Sequence, residues 1–170
     1  MTAAALKFPV LGFGLDIGHA AIRGRERLVW FVDVEDFSTC TSWELKVGAR
    51  QDMLLVDSAE RSWRITHIED LGLIGPFWER AFRFLLQQGV HRVSQELVEE
   101  DALSFPDLKE RICASITANP DCWRDDEAIA GEDGPRRDEL AMLDELQAAV
   151  RRAQTLPQVI NALYEEHFPG

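Results

Sequence analysis

Apolar residues recur at helical spacing over the longest stretch from Pro76 to Asp101. Phe77, Ala81, Phe84 and Leu85, then Val90, Val93 and Leu97, return at steps of three and four, the signature of one helix face. Pro76 suits a first helical turn, and Glu79/Arg83 and Arg92/Glu96 form i,i+4 pairs on the opposite side. Gly89 interrupts the run at a cost of about 1 kcal/mol relative to Ala, so a kink or a break into two shorter helices is expected there.

Upstream of this stretch the period changes to two. Leu28–Val34 is a continuous apolar, β-prone run, as for a strand buried on both faces. Ser38–Ser42 reads as a polar loop leading into a short alternating strand, Trp43–Val47. Asp52–Asp57 and Ser62–Ile68 flank Ser58–Arg61 as the arms of a hairpin. In its second arm strict alternation puts Trp63, Ile65 and His67 on one face and Arg64 and Thr66 on the other. Connections this short predict antiparallel pairing.

Downstream the period is again helical. Ser104-Phe-Pro-Asp107 has the form of a capping box with Asp in place of Glu, followed by the stripe Leu108, Ile112, Ile116. That helix should stop before Asn119-Pro120, because a residue preceding proline resists the helical region. Residues 119–137 are irregular and acidic, and an exposed loop is expected over them. Pro135 opens a further helix with Leu140, Leu143, Leu146 and Val150 facing inward. A last short helix carries Val159, Ile160 and Leu163, with Thr155 as its cap.

These elements make a single α+β domain over residues 1–170, sheet-rich in 1–75 and helical in 76–170. Its mainly antiparallel N-terminal sheet has about four strands, packed on one face by the long central helix and completed by C-terminal helices. The length suffices for a core without disulfide staples. The 46% hydrophobic fraction is that of a folded protein rather than a disordered one. Three cysteines (Cys40, Cys113, Cys122) are too few for a disulfide framework and fit a reducing, cytoplasmic setting. No apolar run approaches the roughly 18 residues that span a bilayer. The N-terminus lacks a basic region and a small-x-small cleavage site, so no leader is expected.

Charge changes the picture most. The formal net charge is −12, and its excess lies in the C-terminal half: residues 1–75 hold 8 basic and 11 acidic residues, residues 76–170 hold 10 and 19. Such a chain is repelled by nucleic acid and by anionic membranes and attracted to basic partners. Asp121, Trp123, Asp125, Asp126, Glu127, Glu132 and Asp133 cluster in the irregular loop, and they are the candidate surface for a basic protein partner. A compact acidic α+β domain is similar in composition, though at no specific residue, to bacterial immunity and inhibitor proteins, which cover basic nuclease-type toxins.

Signals for chemistry are sparse. Gly12, Gly14 and Gly18 lack the G-x-G-x-x-G spacing and a following lysine, so close backbone packing or a turn is expected in place of a phosphate loop. Arg23, Arg25 and Arg27 form a basic turn that reads as a solvated loop. The histidines and cysteines have no metal-ligand spacing, and the acidic loop lacks the rhythm of a calcium site; no metal and no cofactor is expected. Cys40 could be approached by His67 or His91, but no nucleophile-elbow motif accompanies it. His91-Arg92-Val93-Ser94-Gln95-Glu96 groups polar residues on what reads as a helix. The sequence thus supports a non-enzymatic acidic binding module of the inhibitor or immunity type. Its alternative is a small hydrolase or small-molecule-binding domain, with a pocket between sheet and central helix near His67, His91 and Ser94.

Overall fold

Residues 6–15, 26–75, 89–120 and 137–167 are described by the computed structural model. They divide between two compact units, Met1–Ala102 and Leu103–Gly170. Among them the chain is α+β, with a six-stranded antiparallel sheet and five helices.

The first unit contains β1 (Val10–Leu15), β2 (Glu26–Phe31), α1 (Val34–Phe37), β3 (Thr39–Thr41), α2 (Ser42–Val47), β4 (Leu54–Asp57), β5 (Ser62–Leu73) and β6 (Val90–Glu100). The strand order is β2-β1-β4-β5-β6-β3. Its two outermost strands, β2 and β3, are joined by residues 32–38 alone. A flat six-stranded sheet would hold its outer strands roughly 24 Å apart, at about 4.8 Å per step. A link containing a helical turn reaches only about 20 Å. The sheet must therefore curl until its edges approach, and Phe37, in the link, is fully buried. Its ring stands edge-on to Phe31, 5.1 Å between centroids, and to Phe8 at 6.1 Å. Val10, Leu55, Trp63, Ile65 and Leu97 complete this core.

Several elements differ from the sequence expectation. The sheet has six strands rather than four, and the expected long helix does not extend to Asp101, because Val90–Glu100 is β6. Val93 and Leu97 are four residues apart, a spacing common to a helix stripe and to one face of a strand. The burial pattern decides between them: Val93, Gln95 and Leu97 are buried in alternation with Arg92, Glu96 and Val98. Residues 76–88 lie outside the described ones. Trp43–Val47 is a helix and not a strand. Thr41 and Glu44 form a reciprocal capping box at its start, and Gly48 closes it in the left-handed conformation. β2 ends at Phe31 and is an edge strand, so Leu28 and Phe31 are buried while Val29 and Trp30 are half-buried.

Other expectations hold. β4 and β5 form the antiparallel hairpin, with Leu55 opposite Trp63. Gly12 and Gly14 are packing glycines on β1: a Cβ at either would fall under 3 Å from the Met53 side chain. Gly18 lies outside the described residues.

The second unit holds α3 (Phe105–Ala118), α4 (Arg137–Arg152) and α5 (Leu156–His167). Ser104 caps α3, with Pro106 in its first turn, and Asn119 ends it ahead of Pro120. Leu108, Ile112 and Ile116 are buried, as are Leu143, Leu146, Val150, Val159, Ile160 and Leu163. The Lys109 ammonium donates to the Arg151 and Ala153 carbonyls, at 2.9 and 3.2 Å, satisfying the C-terminal end of α4. No helix among the described residues is long and apolar enough to cross a membrane.

Candidate functional site

The polar cluster of the first unit is assembled from β3, β5, β6 and α2. β3 pairs antiparallel with β6, Cys40 opposite His91 and Thr41 opposite Val90. The ladder continues one residue further, where the Ser42 N–H donates to the Gly89 carbonyl at 2.7 Å. Ser42, the first residue of α2, is thereby fixed beside the start of β6. Its Oγ lies 2.9 Å from His91 Nε2 and 3.1 Å from the Gly89 carbonyl oxygen. The other ring nitrogen of His91, Nδ1, is 2.9 and 3.0 Å from the two carboxylate oxygens of Asp70. Ser42, His91 and Asp70 thus form one continuous hydrogen-bonded line.

Asp70 reaches His91 because β5 is irregular. Ile65 faces Leu97 across the ladder, but the next aligned pair is His67 with Glu96, so Thr66 is an extra residue. A one-residue bulge exchanges the faces of everything beyond it. Ile68 and Asp70 are therefore turned to the side of Val93 and His91, and His67 is turned to the exposed side with Glu96. A second irregularity follows between Asp70 and Gly72. There the Gly72 N–H donates to Asp70 Oδ1 at 2.8 Å, holding the carboxylate. Partial burial raises the Asp70 pKa, but the Gly72 N–H and the His91 ring outweigh it and hold the carboxyl below its usual range.

Position 89 must be glycine for this arrangement. A Cβ there would meet Leu73 Cδ2 at 2.4 Å and Ser42 Oγ at 2.8 Å. The tautomer follows from the partners. A carboxylate at Nδ1 requires that nitrogen to carry a proton, which leaves Nε2 of neutral His91 as an acceptor for the Ser42 hydroxyl. When His91 is protonated at both nitrogens, Nε2–H donates to Ser42 Oγ, and the hydroxyl proton turns to the Gly89 carbonyl. Either protonation state is satisfied. The serine is half-buried, and the His91 and Asp70 side chains are 14% and 46% exposed.

Of the pocket residues expected from sequence, His91 is in this cluster. His67 is exposed on the other face, and Ser94, opposite Glu69, alternates away from His91 on β6. Ser42 and Asp70 were missed. The signal for Ser42 lies in Thr41-x-x-Glu44 with Gly48, which starts a helix at Ser42; no local signal marks the bulge that presents Asp70. Cys40 is not a loop residue but lies in β3, buried, and burial pushes its thiol up to about 12 despite the opposing charge of Arg50, while Glu44 adds to the rise. No group of three or more His, Cys, Asp or Glu side chains among the described residues is placed to hold a metal. The partner-binding candidates Asp121, Trp123, Asp125, Asp126, Glu127, Glu132 and Asp133 lie outside the described residues.

A second feature is a cavity of about 190 Å³ bounded by β1, β2, α2 and the turn after it, lined among others by Arg27, Trp30, Trp43 and Arg50. Ser42, His91 and Asp70 are not among its lining residues. Comparison with protein-family models, with curated proteins and with solved structures finds no match to this chain.

Proposed function

We propose that the sheet-rich unit is a small hydrolase of the serine type, in which Ser42 is the nucleophile, His91 the general base and Asp70 the group that orients it. The observation that carries this reading is the line Ser42 Oγ–His91 Nε2 and His91 Nδ1–Asp70 at 2.9 Å each. Nucleophile, base and orienting acid in hydrogen-bond contact are what activate a weak hydroxyl nucleophile. Ser42 Oγ would attack the carbonyl carbon of an ester while its proton passes to His91 Nε2. The imidazolium, held by Asp70, would then return that proton to the departing alkoxide. Water, deprotonated by the same nitrogen, would release the acid and restore Ser42. Asp70 is more exposed than its counterpart in a protease triad, so its hold on the ring is open to screening by salt.

The test is hydrolysis of p-nitrophenyl acetate together with intact-mass measurement after exposure to a fluorophosphonate. The reading expects one phosphonyl adduct at Ser42, and a loss of about 100-fold or more in kcat for Ser42→Ala and His91→Gln. Equal hydrolysis by the wild type and Ser42→Ala, with no adduct, would overturn it.

The concentration of charge supports a second reading, an acidic module for a basic protein partner. Residues 117–150 hold ten acidic residues against three arginines. Like charges so dense repel one another, and a complementary partner offsets that cost while gaining association rate. Replacing Asp125, Asp126 and Glu127 together by Lys should slow binding of a basic partner at low salt. Unchanged association of that triple variant would remove this reading.

A further inference from the structure

We infer that the cavity between β1, β2 and α2 binds a small organic carboxylate with a flat apolar body, independently of the Ser42 site. Its shape comes from β1. Gly14 stands opposite Arg27 in the β1–β2 register and so shares its face. A Cβ there would fall 2.7 Å from Met53 Cε, so the missing side chain lets Met53 pack against β1 as part of the cavity wall. At about 190 Å³ the cavity is comparable to an engineered cavity of about 150 Å³ that takes up benzene, enough for a single-ring group.

The charges lining the cavity are two arginines and two acids, and they are not equivalent. The Glu44 carboxylate is taken up by the start of α2, accepting from the Thr41 N–H and hydroxyl, each at 2.8 Å. The Asp36 carboxylate accepts from the Val32 N–H at 3.2 Å. Arg50, by contrast, is buried with its guanidinium 4.8 Å from the Phe31 ring centroid and one Nη1 bond, 2.9 Å, to the Phe37 carbonyl. Its Nη2 is ion-paired with Glu44 Oε1 at 3.6 Å, without a hydrogen bond between them. The exposed Arg27 side chain makes no hydrogen bond or ion pair with the described residues. A guanidinium has five N–H donors in a planar fork that matches a carboxylate. The Arg27 guanidinium is therefore the donor this wall leaves unused, while each carboxylate already accepts at one oxygen. With the formal charges balanced, one anionic group is accommodated and a polyanion gains nothing. Trp43, 38% exposed, supplies a flat apolar wall for the remainder of the ligand.

Benzoate is a suitable probe, with benzamidine as its cationic counterpart and acetate as the carboxylate without a ring. The indole N–H signal of Trp43, assigned by Trp43→Phe replacement, reports on the cavity in ¹H–¹⁵N spectra. Benzoate should shift this signal and saturate below about 10 mM. Benzamidine and acetate should bind at least about tenfold more weakly, and Arg27→Gln should weaken benzoate by about tenfold, the loss of a charge-assisted hydrogen bond. Gly14→Val, whose Cβ would meet the buried Met53 Cε at 2.7 Å, should push that side chain into the cavity and abolish the shift. No saturable response, equal response to benzamidine, or unaltered benzoate binding in Arg27→Gln or Gly14→Val would each overturn the assignment. Ser42→Ala should leave benzoate binding unchanged, which keeps this outcome separate from that of the hydrolase reading.

Discussion

A Cβ at position 89 would lie 2.8 Å from Ser42 Oγ, so the serine approaches His91 through space that only a glycine leaves open. The same Cβ would meet Leu73 Cδ2 at 2.4 Å. Gly89→Ala should therefore push the α2 start and β6 apart, destabilising the fold by about 1–3 kcal/mol as other overpacked sites do. Its activity should fall with that of Ser42→Ala, and chemical denaturation beside the esterase assay checks both outcomes.

How much of this was legible in the sequence depends on the range of each interaction. The β4–β5 hairpin and the ends of α3 are set by neighbours in the chain, and the alternation around Ser58–Arg61 and the Ser104 cap disclose them. Val90–Glu100 misleads because its inner face alternates His91 and Gln95 with Val93 and Leu97; two polar residues hide the alternation, and the remaining apolar pair fits a helix equally well. The Ser42–His91–Asp70 line joins residues 49 and 21 positions apart. It also depends on one extra residue at Thr66, and no local propensity encodes the face that Asp70 will occupy after that slip.

Phe37 should be the most costly single truncation in the first unit. It is fully buried, its ring meets Phe31 and Phe8, and its carbonyl accepts from Arg50 Nη1 and Gln95 Nε2 at 2.9 and 3.0 Å. Phe37→Ala should cost about 3–5 kcal/mol, measured as a shift in the urea midpoint. A midpoint within experimental scatter of wild type would mean that the sheet closes without this residue.

The thiols of the described residues should be inert in the native protein. Cys40 and Cys113 are buried, and burial raises both thiols, Cys40 to about 12. In a Cys122→Ser background, Ellman's reagent at neutral pH should titrate neither until denaturant is added. Rapid labelling in the native state would place one of them at the surface.

Asp57 should make the stability of the first unit sensitive to acid. Its side chain is fully buried, and its carboxylate accepts from the Ala59, Arg61 and Lys7 N–H groups at 2.9, 3.1 and 3.3 Å, and from the Arg61 guanidinium at 2.6 Å. The Trp63 indole N–H approaches the same carboxylate at 3.4 Å. Burial raises the carboxyl pKa, but the Arg61 guanidinium and these N–H groups more than offset it, so the folded value lies below the ordinary one. A depressed pKa means that the unfolded chain binds the proton more readily than the folded one. The contribution of Asp57 is then complete above the unfolded value of about 3.9 and is lost progressively as the pH falls below it toward the folded value. Asp57→Asn removes the charge but keeps the shape, leaving Arg61 without its counter-ion. It should lower stability at pH 7 and flatten the fall in stability below pH of about 4. Urea unfolding of both proteins across that range measures the difference, and parallel curves would show that the carboxylate is not the group whose protonation matters.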